Sequence, residues 1–351
     1  MTVRWGVIGA GGHADRRFIP ELLKTAENSK VVAVMDVNAD AVARVAKKYD
    51  VPYAYDSEED LLSNDAVDVV YIATPQHLHH RQVLQAAAHS KHVLCEKPLG
   101  VSLSEVEEMM AACEKAGIKF GADYNMRMNV YNQKAKELVS SGRLGQIVMG
   151  RAQLTCWYPP IPGAWRQDMS ISHGGSLIDM GTHCIDLLEY IIGSEAVRVT
   201  GFQGTITHSY DIEDTSTILL EFANGAHGIV DNYFNVPDET AKNFLEISGT
   251  KGMVVASGTV GQDPTGDMSS ILVGEEKEYQ ANQVRDAESG AETVTYALAP
   301  QWTYGMIGKL FADAIENDTA LAVPASVGYR NLKVILAAYE AVRTGRVVEI
   351  S

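Results

Sequence analysis

What this chain of 351 residues lacks excludes several classes of protein. No apolar run is long enough to span a bilayer, and the first residues have neither the basic n-region nor the apolar h-region of a signal peptide. The four cysteines, at positions 95, 113, 156 and 184, show no C-x-x-C spacing. Isolated cysteines of this kind are usually free thiols in a reducing compartment. We therefore expect a soluble cytoplasmic protein.

Basic residues are also in short supply. Lysine and arginine number 29 against 45 aspartates and glutamates, which gives a formal net charge of −16. This charge disfavours nucleic acids and anionic membranes as partners, although a locally basic pocket would still accept an anionic substrate. The length implies roughly two domains, and an apolar fraction of 46% is ample for two cores.

A glycine-rich turn follows the first apolar segment. The run 3–8 predicts a buried strand, and it leads directly into residues 9–14, which have the G-x-G-x-x-A spacing of a dinucleotide-binding turn. Gly9 permits the tight bend, Gly11 lets the backbone approach a pyrophosphate, and Ala14 lets the next helix pack against the strand. The cofactor-binding residues predicted here are Gly9, Gly11, Gly12 and His13.

An acidic residue ends the second predicted strand. The run 31–35 is apolar, and Asp36 follows it, 25 residues after Gly11. A carboxylate near this spacing accepts hydrogen bonds from the adenosine ribose and disfavours a 2′-phosphate. The alternative is that Asp36 caps the following helix, a role for which Asn38 competes. Because no arginine immediately follows, we predict that Asp36 binds the ribose and that the cofactor is NAD rather than NADP.

Strands and helices continue to alternate up to residue 122. Further strands are predicted at 67–73, 92–95 and 118–122, and helices from about 77 and over 102–116. This alternation is typical of parallel βαβ units, so residues 1–122 are predicted to form a Rossmann domain, a doubly wound α/β fold. Carboxyl ends of parallel strands bind ligands, and lysine is costly to bury. Lys97, at the end of the strand 92–95, is therefore expected to face a cofactor crevice.

The pattern changes after residue 123. Helices are predicted over 130–141, 180–192, 304–317 and 326–344, with strands at 147–154 and repeatedly between 197 and 298. Ala223-Asn-Gly225 is a hairpin signal, and the acidic run 275–278 is predicted to be a solvated turn. Residues 123–351 are thus predicted to form an α+β domain for substrate binding and oligomerisation, with a mostly antiparallel open sheet and a C-terminal helix packing back toward the first domain. Because an open sheet face needs a cover, we expect a homodimer or homotetramer.

Three residues supply the chemistry of alcohol oxidation, which needs a hydride acceptor and a base for the hydroxyl proton. Asp179 and His183 are four residues apart, so on a helix they share a face. Imidazole titrates near neutrality and suits proton transfer, and the carboxylate would orient it. The Lys97 ammonium would stabilise developing alkoxide charge. We assign His183 as the base, Lys97 as electrostatic partner and Asp179 as orienter, while the lysine and the histidine could exchange roles. As isolated residues, Asp179 could be a helix cap and His183 a core histidine.

The motifs also carry a family resemblance. In chain order they are the G-x-G-x-x-A turn, Thr74-Pro75, Glu96-Lys97-Pro98, Trp165-Arg166 and the segment from Gly174 to His183. Together they resemble the glucose–fructose oxidoreductase / inositol dehydrogenase family (Gfo/Idh/MocA) over essentially the whole chain. The resemblance implies a pyridine-nucleotide dehydrogenase that acts on a sugar, a cyclitol or a related polyol. The chain departs from the family at Gln76, where the family often has asparagine, and at Ser176, where it often has a third glycine.

The resemblance extends to individual site residues. It places His79 near the cofactor crevice, and Asn125 and Arg127 near the nicotinamide end. The cofactor contacts assigned in addition to the glycine turn and Asp36 are Thr74, His79, Glu96 and Asn125.

The segment from Trp157 to Arg166 is broken by prolines and is too irregular for a helix or a strand. Aromatic rings stack on the C–H faces of sugars, and arginine donates hydrogen bonds to hydroxyl groups. Burial of the tryptophans between the domains is the alternative. The substrate-binding residues that we predict are Lys97, Arg127, Tyr158, Trp165, Arg166 and His183.

Other functions stay open on these residues. His77, His79 and His80 would suit a metal site, but no nearby cysteine or carboxylate completes a ligand set, so we predict no metal and keep a zinc dehydrogenase as the alternative. A hydrolase or lyase that holds NAD tightly and cleaves a glycoside through transient oxidation would use the same residues as a dehydrogenase. A non-catalytic nucleotide-binding regulator predicts loss of Lys97 or His183, and both are present.

Overall fold

A computed structural model describes residues 2–274 and 290–350 of the chain. The contacts divide the chain into two compact units. The first comprises Met1–Met128, Gly163–His173 and Trp302–Lys333, and the second comprises Asn129–Pro162, Gly174–Gln301 and Val334–Ser351. Residues 302–333, which we predicted for the second domain, therefore group with the first. That the domains are divided at residue 122 stays a prediction. The predicted solvated turn at 275–278 lies outside the described residues.

The first unit is built on a six-stranded sheet in which every pair of neighbouring strands is parallel. The order β3-β2-β1-β4-β5-β6 is that of a doubly wound dinucleotide-binding fold, so the predicted Rossmann architecture is confirmed. Its strands are β1 (Val3–Ile8), β2 (Ser29–Met35), β3 (Tyr53–Tyr55), β4 (Val69–Ile72), β5 (His92–Glu96) and β6 (Phe120–Asp123). The helices between them are α1 (Ile19–Thr25), α2 (Ala39–Tyr49), α3 (Glu58–Leu62), α4 (His79–Ala88) and α5 (Leu103–Ala116).

Local capping explains where helix α5 begins and ends. The Ser102 hydroxyl accepts a hydrogen bond from the Glu105 amide at 3.3 Å, which satisfies one of the unpaired N–H groups of the first turn. Gly117 ends the helix in the left-handed conformation, with φ of 68°. Both ends agree with the predicted helix over 102–116.

The second unit is built on a sheet with nine described strands, and the predicted mostly antiparallel arrangement is confirmed. Only β7 and β10 run parallel among its described pairs. The sheet order is β14-β13-β12-β11-β7-β10-β9-β8-β15. The strands are β7 (Ile147–Thr155), β8 (Ala196–Gly204), β9 (Thr215–Phe222), β10 (His227–Tyr233), β11 (Phe244–Gly249), β12 (Gly252–Ser257), β13 (Asp267–Val273), β14 (Ala291–Tyr296) and β15 (Val348–Glu349).

The remaining helices lie in the C-terminal two thirds of the chain. They are α6 (Val130–Ser140), α7 (Met169–Ser172), α8 (Thr182–Ile192), α9 (Thr303–Glu316) and α10 (Ala325–Thr344). Helix α8 packs so closely on β7 that a Cβ added at Gly150 would lie 2.9 Å from the Leu188 side chain. The predicted hairpin is present, because Phe222 donates its amide to Ala226 and Gly225 has φ of 87°. No helix in the part of the chain that the structure describes is long and apolar enough to cross a membrane.

Aromatic side chains form the centre of the first unit's core. Trp5, Phe18 and Tyr71 are completely buried, and Phe18 stacks on Tyr71 with ring centroids 3.6 Å apart. Helix α9 packs on α1, where the buried Glu21 accepts the amides of Tyr304 and Gly305 at 2.9 and 3.4 Å. Those amides belong to the first turn of α9, whose N–H groups lack partners within the helix. A carboxylate that is distant in sequence thus caps this helix.

Candidate active site

The glycine turn after β1 has the geometry that a dinucleotide requires. Gly9 adopts φ of +92°, and a Cβ at this position would lie 2.9 Å from the Ala73 carbonyl carbon, so only glycine fits. At Gly11 a Cβ would meet only the Asp36 carboxylate, at 3.9 Å. The backbone of the turn is therefore open for a close approach by a pyrophosphate, and these residues fit the predicted cofactor.

Asp36 lies beside this turn and does not cap helix α2. The cap is Asn38, whose side chain accepts the Ala41 amide at 3.1 Å, and Asp36 accepts the Asn38 amide at 2.9 Å. The competing assignment of Asp36 as a helix cap is therefore wrong. Arg44 lies two turns into α2 and places Nε 3.6 Å from the Asp15 carboxylate, to which Lys48 also donates at 2.7 Å.

One buried histidine links two strand ends of the sheet. His79 places Nε2 3.0 Å from the Thr74 carbonyl oxygen and Nδ1 3.0 Å from the Pro98 carbonyl oxygen. Burial lowers the pKa of His79, although the two carbonyl contacts act in the opposite direction. Both nitrogens face backbone oxygens, and the neutral imidazole, which has one N–H, donates to one of them, so His79 packs between the turns after β4 and β5. In the described ranges no three His, Cys, Asp or Glu side chains are grouped so that they could hold a metal ion.

Glu96, which precedes Lys97, belongs to a buried network of polar side chains. Its Oε1 accepts a hydrogen bond from the Tyr71 hydroxyl at 2.5 Å and lies 2.8 Å from His13 Nε2, while Oε2 accepts the Lys97 amide at 3.2 Å. Burial by itself would raise the pKa of Glu96, but His13 and Lys97 outweigh it and lower the pKa to about 2. The network therefore joins the glycine turn to the segment that carries Lys97.

A second carboxyl group lies beside Glu96. Asp123 is its direct neighbour across β5 and β6 and contacts the Tyr71 hydroxyl at 3.1 Å. Burial, followed by the charge of Glu96, raises the pKa of Asp123 well above its usual value. Two adjacent carboxyl groups cannot both be ionised at low cost, so the charge on Glu96 favours the protonated form of Asp123. Sequence reasoning missed both Tyr71 and Asp123.

Asn125 follows β6 and is completely buried. Its side-chain nitrogen donates to the Thr303 hydroxyl at 3.1 Å, while its side-chain oxygen has no hydrogen-bond partner among the described residues. A buried amide oxygen of this kind can accept a hydrogen bond from a bound group. Arg127 lies two residues further on in the same unit, half-buried.

Asp179 and His183 lie on one continuous helical run in the second unit, 176–192. The structure begins this helix four residues before the predicted start at Met180, and its residues Leu177–Gly181 form a π-helical turn. Asp179 therefore lies within the helix and is not its cap. His183 is 7% exposed and Asp179 is half-buried. The Asn232 side chain packs against this run, with its nitrogen 3.4 Å from Cys184 Sγ.

The aromatic residues of the segment 157–166 do not all belong to one unit. Trp157 and Tyr158 belong to the second unit, where the Tyr158 amide donates to Phe234 at 2.8 Å and its carbonyl accepts the Tyr210 hydroxyl at 3.1 Å. Trp165 and Arg166 belong to the first unit, and the Arg166 guanidinium stacks 4.4 Å from the Trp165 ring centre. The structure thus groups Trp165 and Arg166 with Lys97 and Arg127, and Tyr158 with Asp179 and His183.

Two family profiles match this chain. One is described as an oxidoreductase family with an NAD-binding Rossmann fold and covers residues 3–124, and the other is the GFO/IDH/MocA C-terminal domain and covers residues 132–255. The chain belongs to the Gfo/Idh/MocA family of oxidoreductases. The family resemblance seen in the sequence is thereby confirmed, and the protein is an NAD(P)-dependent dehydrogenase.

Similar proteins of the family cover between 72% and 99% of this chain. A 1,5-anhydro-D-fructose reductase of Ensifer adhaerens is 27% identical over 350 residues, which cover 99% of this chain and 98% of the relative. A trans-1,2-dihydrobenzene-1,2-diol dehydrogenase of Mus musculus is 33% identical over 256 residues, covering 72% of this chain and 74% of the relative. The crystal structure of an aldose-aldose oxidoreductase from Caulobacter crescentus, complexed with glycerol, superposes with a TM-score of 0.87 at 26% identity, covering 99% of this chain and 100% of that one.

Proposed function

We propose that this dehydrogenase oxidises a secondary hydroxyl of a sugar, a cyclitol or a related polyol to a ketone, with NAD as the hydride acceptor. The observation that carries the proposal is the position of Lys97, which leaves the carboxyl end of β5 and is joined through Glu96 and His13 to the glycine turn. Relatives named for anhydrofructose, aldose and dihydrodiol substrates support a polyhydroxylated substrate. This arrangement supports a role for the Lys97 ammonium beside the proposed cofactor site.

The choice of NAD over NADP is supported by charge. Asp36 places its carboxylate beside Gly11, where it would accept hydrogen bonds from the ribose hydroxyls and repel a 2′-phosphate. Arg44, a cation that could instead attract that phosphate, lies 3.6 Å from Asp15. Gly9, Gly11, Gly12 and His13 would hold the pyrophosphate, and Asn125 would offer its buried oxygen to the nicotinamide end. Thr74, His79 and Glu96 would shape the crevice between them.

The proton chemistry is assigned to three side chains. His183 takes the hydroxyl proton, because a neutral imidazole accepts a proton near physiological pH. Asp179, one turn earlier, orients the imidazole and stabilises its charged form. Lys97 stabilises negative charge on the substrate oxygen as the proton leaves. The lysine could also be the proximal base, with the histidine as its relay. Arg127, Tyr158, Trp165 and Arg166 are proposed to contact the substrate's other hydroxyls and ring faces.

Two single substitutions test these roles. Lys97→Met keeps the length of the side chain and removes its charge, and His183→Asn removes the titratable ring. Each is expected to lower turnover about a hundredfold, while NAD binding changes little. The measurement is NADH formation on a screened polyol, together with NAD titration by fluorescence. The exposed His227→Asn is the matched control. If both residues act on one step, the double variant should lose less activity than the product of the two losses.

The pH profile distinguishes the base. Alcohol oxidation by the native protein should rise with pH through one ionisation near neutrality, because the base must be neutral to accept a proton. That limb should disappear in His183→Asn. Near-native turnover of His183→Asn on a verified substrate would overturn its assignment and leave Lys97 as the base. Product analysis also shows whether NADH is released or stays bound, which separates a dehydrogenase from an enzyme that cleaves a glycoside through transient oxidation.

A further inference from the structure

We propose that Glu213 is a positioning residue that fixes the start of the helical run carrying Asp179 and His183. This inference deepens the proposed function and rests on it. Glu213 lies in the loop before β9 and is 5% exposed. Its Oε2 accepts the Gly175 amide at 2.8 Å, and its Oε1 accepts the Leu177 amide at 3.0 Å. Its own carbonyl oxygen accepts the amide of Ser176 at 2.9 Å.

Three consecutive amides at the beginning of one helical run therefore bind to a single residue 36 to 38 positions away in sequence. The first N–H groups of a helix have no partners within it, and the positive end of the helix dipole favours a carboxylate there. Glu213 supplies both the acceptors for these N–H groups and the carboxylate that the dipole favours. It also explains why the run begins at 176, directly after the two poor helix formers Gly174 and Gly175.

The two glycines are needed for the close approach of the Glu213 backbone and of the Tyr339 hydroxyl. A Cβ added at Gly175 would lie 2.0 Å from the Glu213 carbonyl oxygen, and one added at Gly174 would lie 2.0 Å from the Tyr339 hydroxyl. The Tyr339 hydroxyl in turn donates to Glu213 Oε1 at 2.8 Å. The Gly174-Gly175 pair thus leaves room for Glu213 and Tyr339.

A direct chain of hydrogen bonds connects Glu213 to the proposed catalytic residues. The Gly175 amide donates to Glu213, and the Gly175 carbonyl accepts the Asp179 amide at 3.0 Å. His183 follows one turn later on the same helical run. A change in the position of Gly175 would therefore displace Asp179 and alter its geometry with His183. An ionised carboxylate suits this role because it offers only acceptors, whereas glutamine would turn an NH₂ group toward an N–H donor.

The variant Glu213→Gln tests the proposal, with Glu189→Gln as the matched control. Glu189 accepts the Ala196 amide at 2.9 Å beyond the other end of helix α8, so its substitution also removes a carboxylate–amide bond from this helix. We expect Glu213→Gln to lower kcat at least tenfold, to shift the neutral pH limb of alcohol oxidation, and to leave the KM for NAD within twofold. We expect Glu189→Gln to change none of these values.

A second measurement does not depend on catalysis. Hydrogen exchange followed by mass spectrometry should show exchange at 174–183 at least tenfold faster in Glu213→Gln, and unchanged there in Glu189→Gln. If Glu213→Gln exchanged at 174–183 at the wild-type rate, the proposal would be overturned. Faster exchange combined with a wild-type kcat and an unshifted pH limb would overturn it as well. If Glu213→Gln does not fold, Tyr339→Phe replaces it, with an expected kcat about threefold lower and faster exchange at 174–183. A wild-type kcat together with wild-type exchange at 174–183 in Tyr339→Phe would also overturn the proposal.

The two proposals fail in different ways. A native rate in His183→Asn refutes the base, whatever Glu213 does. Native exchange at 174–183 in Glu213→Gln refutes the positioning contact, even if His183→Asn is inactive.

Discussion

Glu96 is largely buried and Glu213 is buried, each lies beside a segment with a proposed catalytic residue, and each accepts a hydrogen bond from a tyrosine hydroxyl. Their electrostatic surroundings differ. Glu96 faces His13 and Lys97, and its pKa falls to about 2 despite burial. Glu213 faces two backbone amides and Tyr339, and burial raises its pKa. The first unit thus stabilises its carboxylate with neighbouring positive charge, whereas the second uses uncharged donors that fix geometry.

The largest effect on stability is expected from removing the charge of Glu96. Glu96→Gln should lower the free energy of unfolding by about 3 kcal/mol at pH 7, because it removes the negative partner of the half-buried Lys97 ammonium and the acceptor that faces His13. The sign with pH follows from the lowered pKa, since Glu96 adds stability above its ordinary value of 4.5 and loses it as the pH falls toward 2. The difference in the free energy of unfolding between Glu96→Gln and wild type should therefore shrink below pH 5. Urea unfolding at several pH values measures it.

A surface ion pair provides the control for this variant. Glu221 pairs with Arg198 at an exposed position of the second sheet, and Glu221→Gln should cost less than about 1 kcal/mol. If Glu96→Gln and Glu221→Gln lost the same free energy of unfolding, the Glu96 carboxylate would be no more important for stability than a surface ion pair.

An effect of opposite sign is expected at Asp123, whose pKa is raised by burial and by Glu96. Above its ordinary value of 3.8 the unfolded chain releases this proton while the folded protein keeps it, so stability falls as the pH rises, by at most about 1.4 kcal/mol per pH unit. Asp123→Asn keeps a neutral group and removes this dependence. Between pH 5 and 8 its free energy of unfolding should rise relative to wild type. The free energy of unfolding of the exposed Asp40→Asn variant, the control, should have the same pH dependence as that of the wild type. If Asp123→Asn also had the wild-type pH dependence, Asp123 would be ionised in the folded protein, against the prediction.

The smallest effect concerns cofactor choice, which the first unit is also proposed to make by charge. Asp36→Ala removes the carboxylate beside Gly11 and should narrow the preference for NAD over NADP by about tenfold, roughly 1.4 kcal/mol. Titration of both cofactors measures the ratio of dissociation constants. Equal affinity of the native protein for NAD and NADP would contradict the assignment. Asn38→Ala is a suitable control, because it removes the cap of α2 and leaves Asp36 in place.

Features encoded in short sequence intervals were predictable, and those made by distant residues were not. The glycine turn and Asp36 follow strands whose apolar runs are evident in the sequence. The pairing of Glu96 with Asp123 depends on the register of β5 against β6, which no local pattern states. The helix start at 176 was misjudged for a similar reason, because the acceptor for its amides comes from Glu213.

The proposed dimer or tetramer stays a prediction. Several large apolar side chains on the second unit's strands and loops are exposed, among them Phe202 at 84% and Ile206 at 74%. They agree with the expectation that an open sheet needs a cover.

The π-helical turn Leu177–Gly181 has a consequence for how this enzyme can change in evolution. A π turn is equivalent to one residue inserted into an α-helix. Because the wide turn absorbs its extra residue, deleting one residue within it would restore regular α-helical winding while the residues on either side kept their relative orientation. His183 lies just after the turn, and the Glu213 contacts lie before it and at its first residue, Leu177. A single codon lost within the turn would therefore remove the wide turn around Asp179 while leaving His183 in register with the Glu213 contacts.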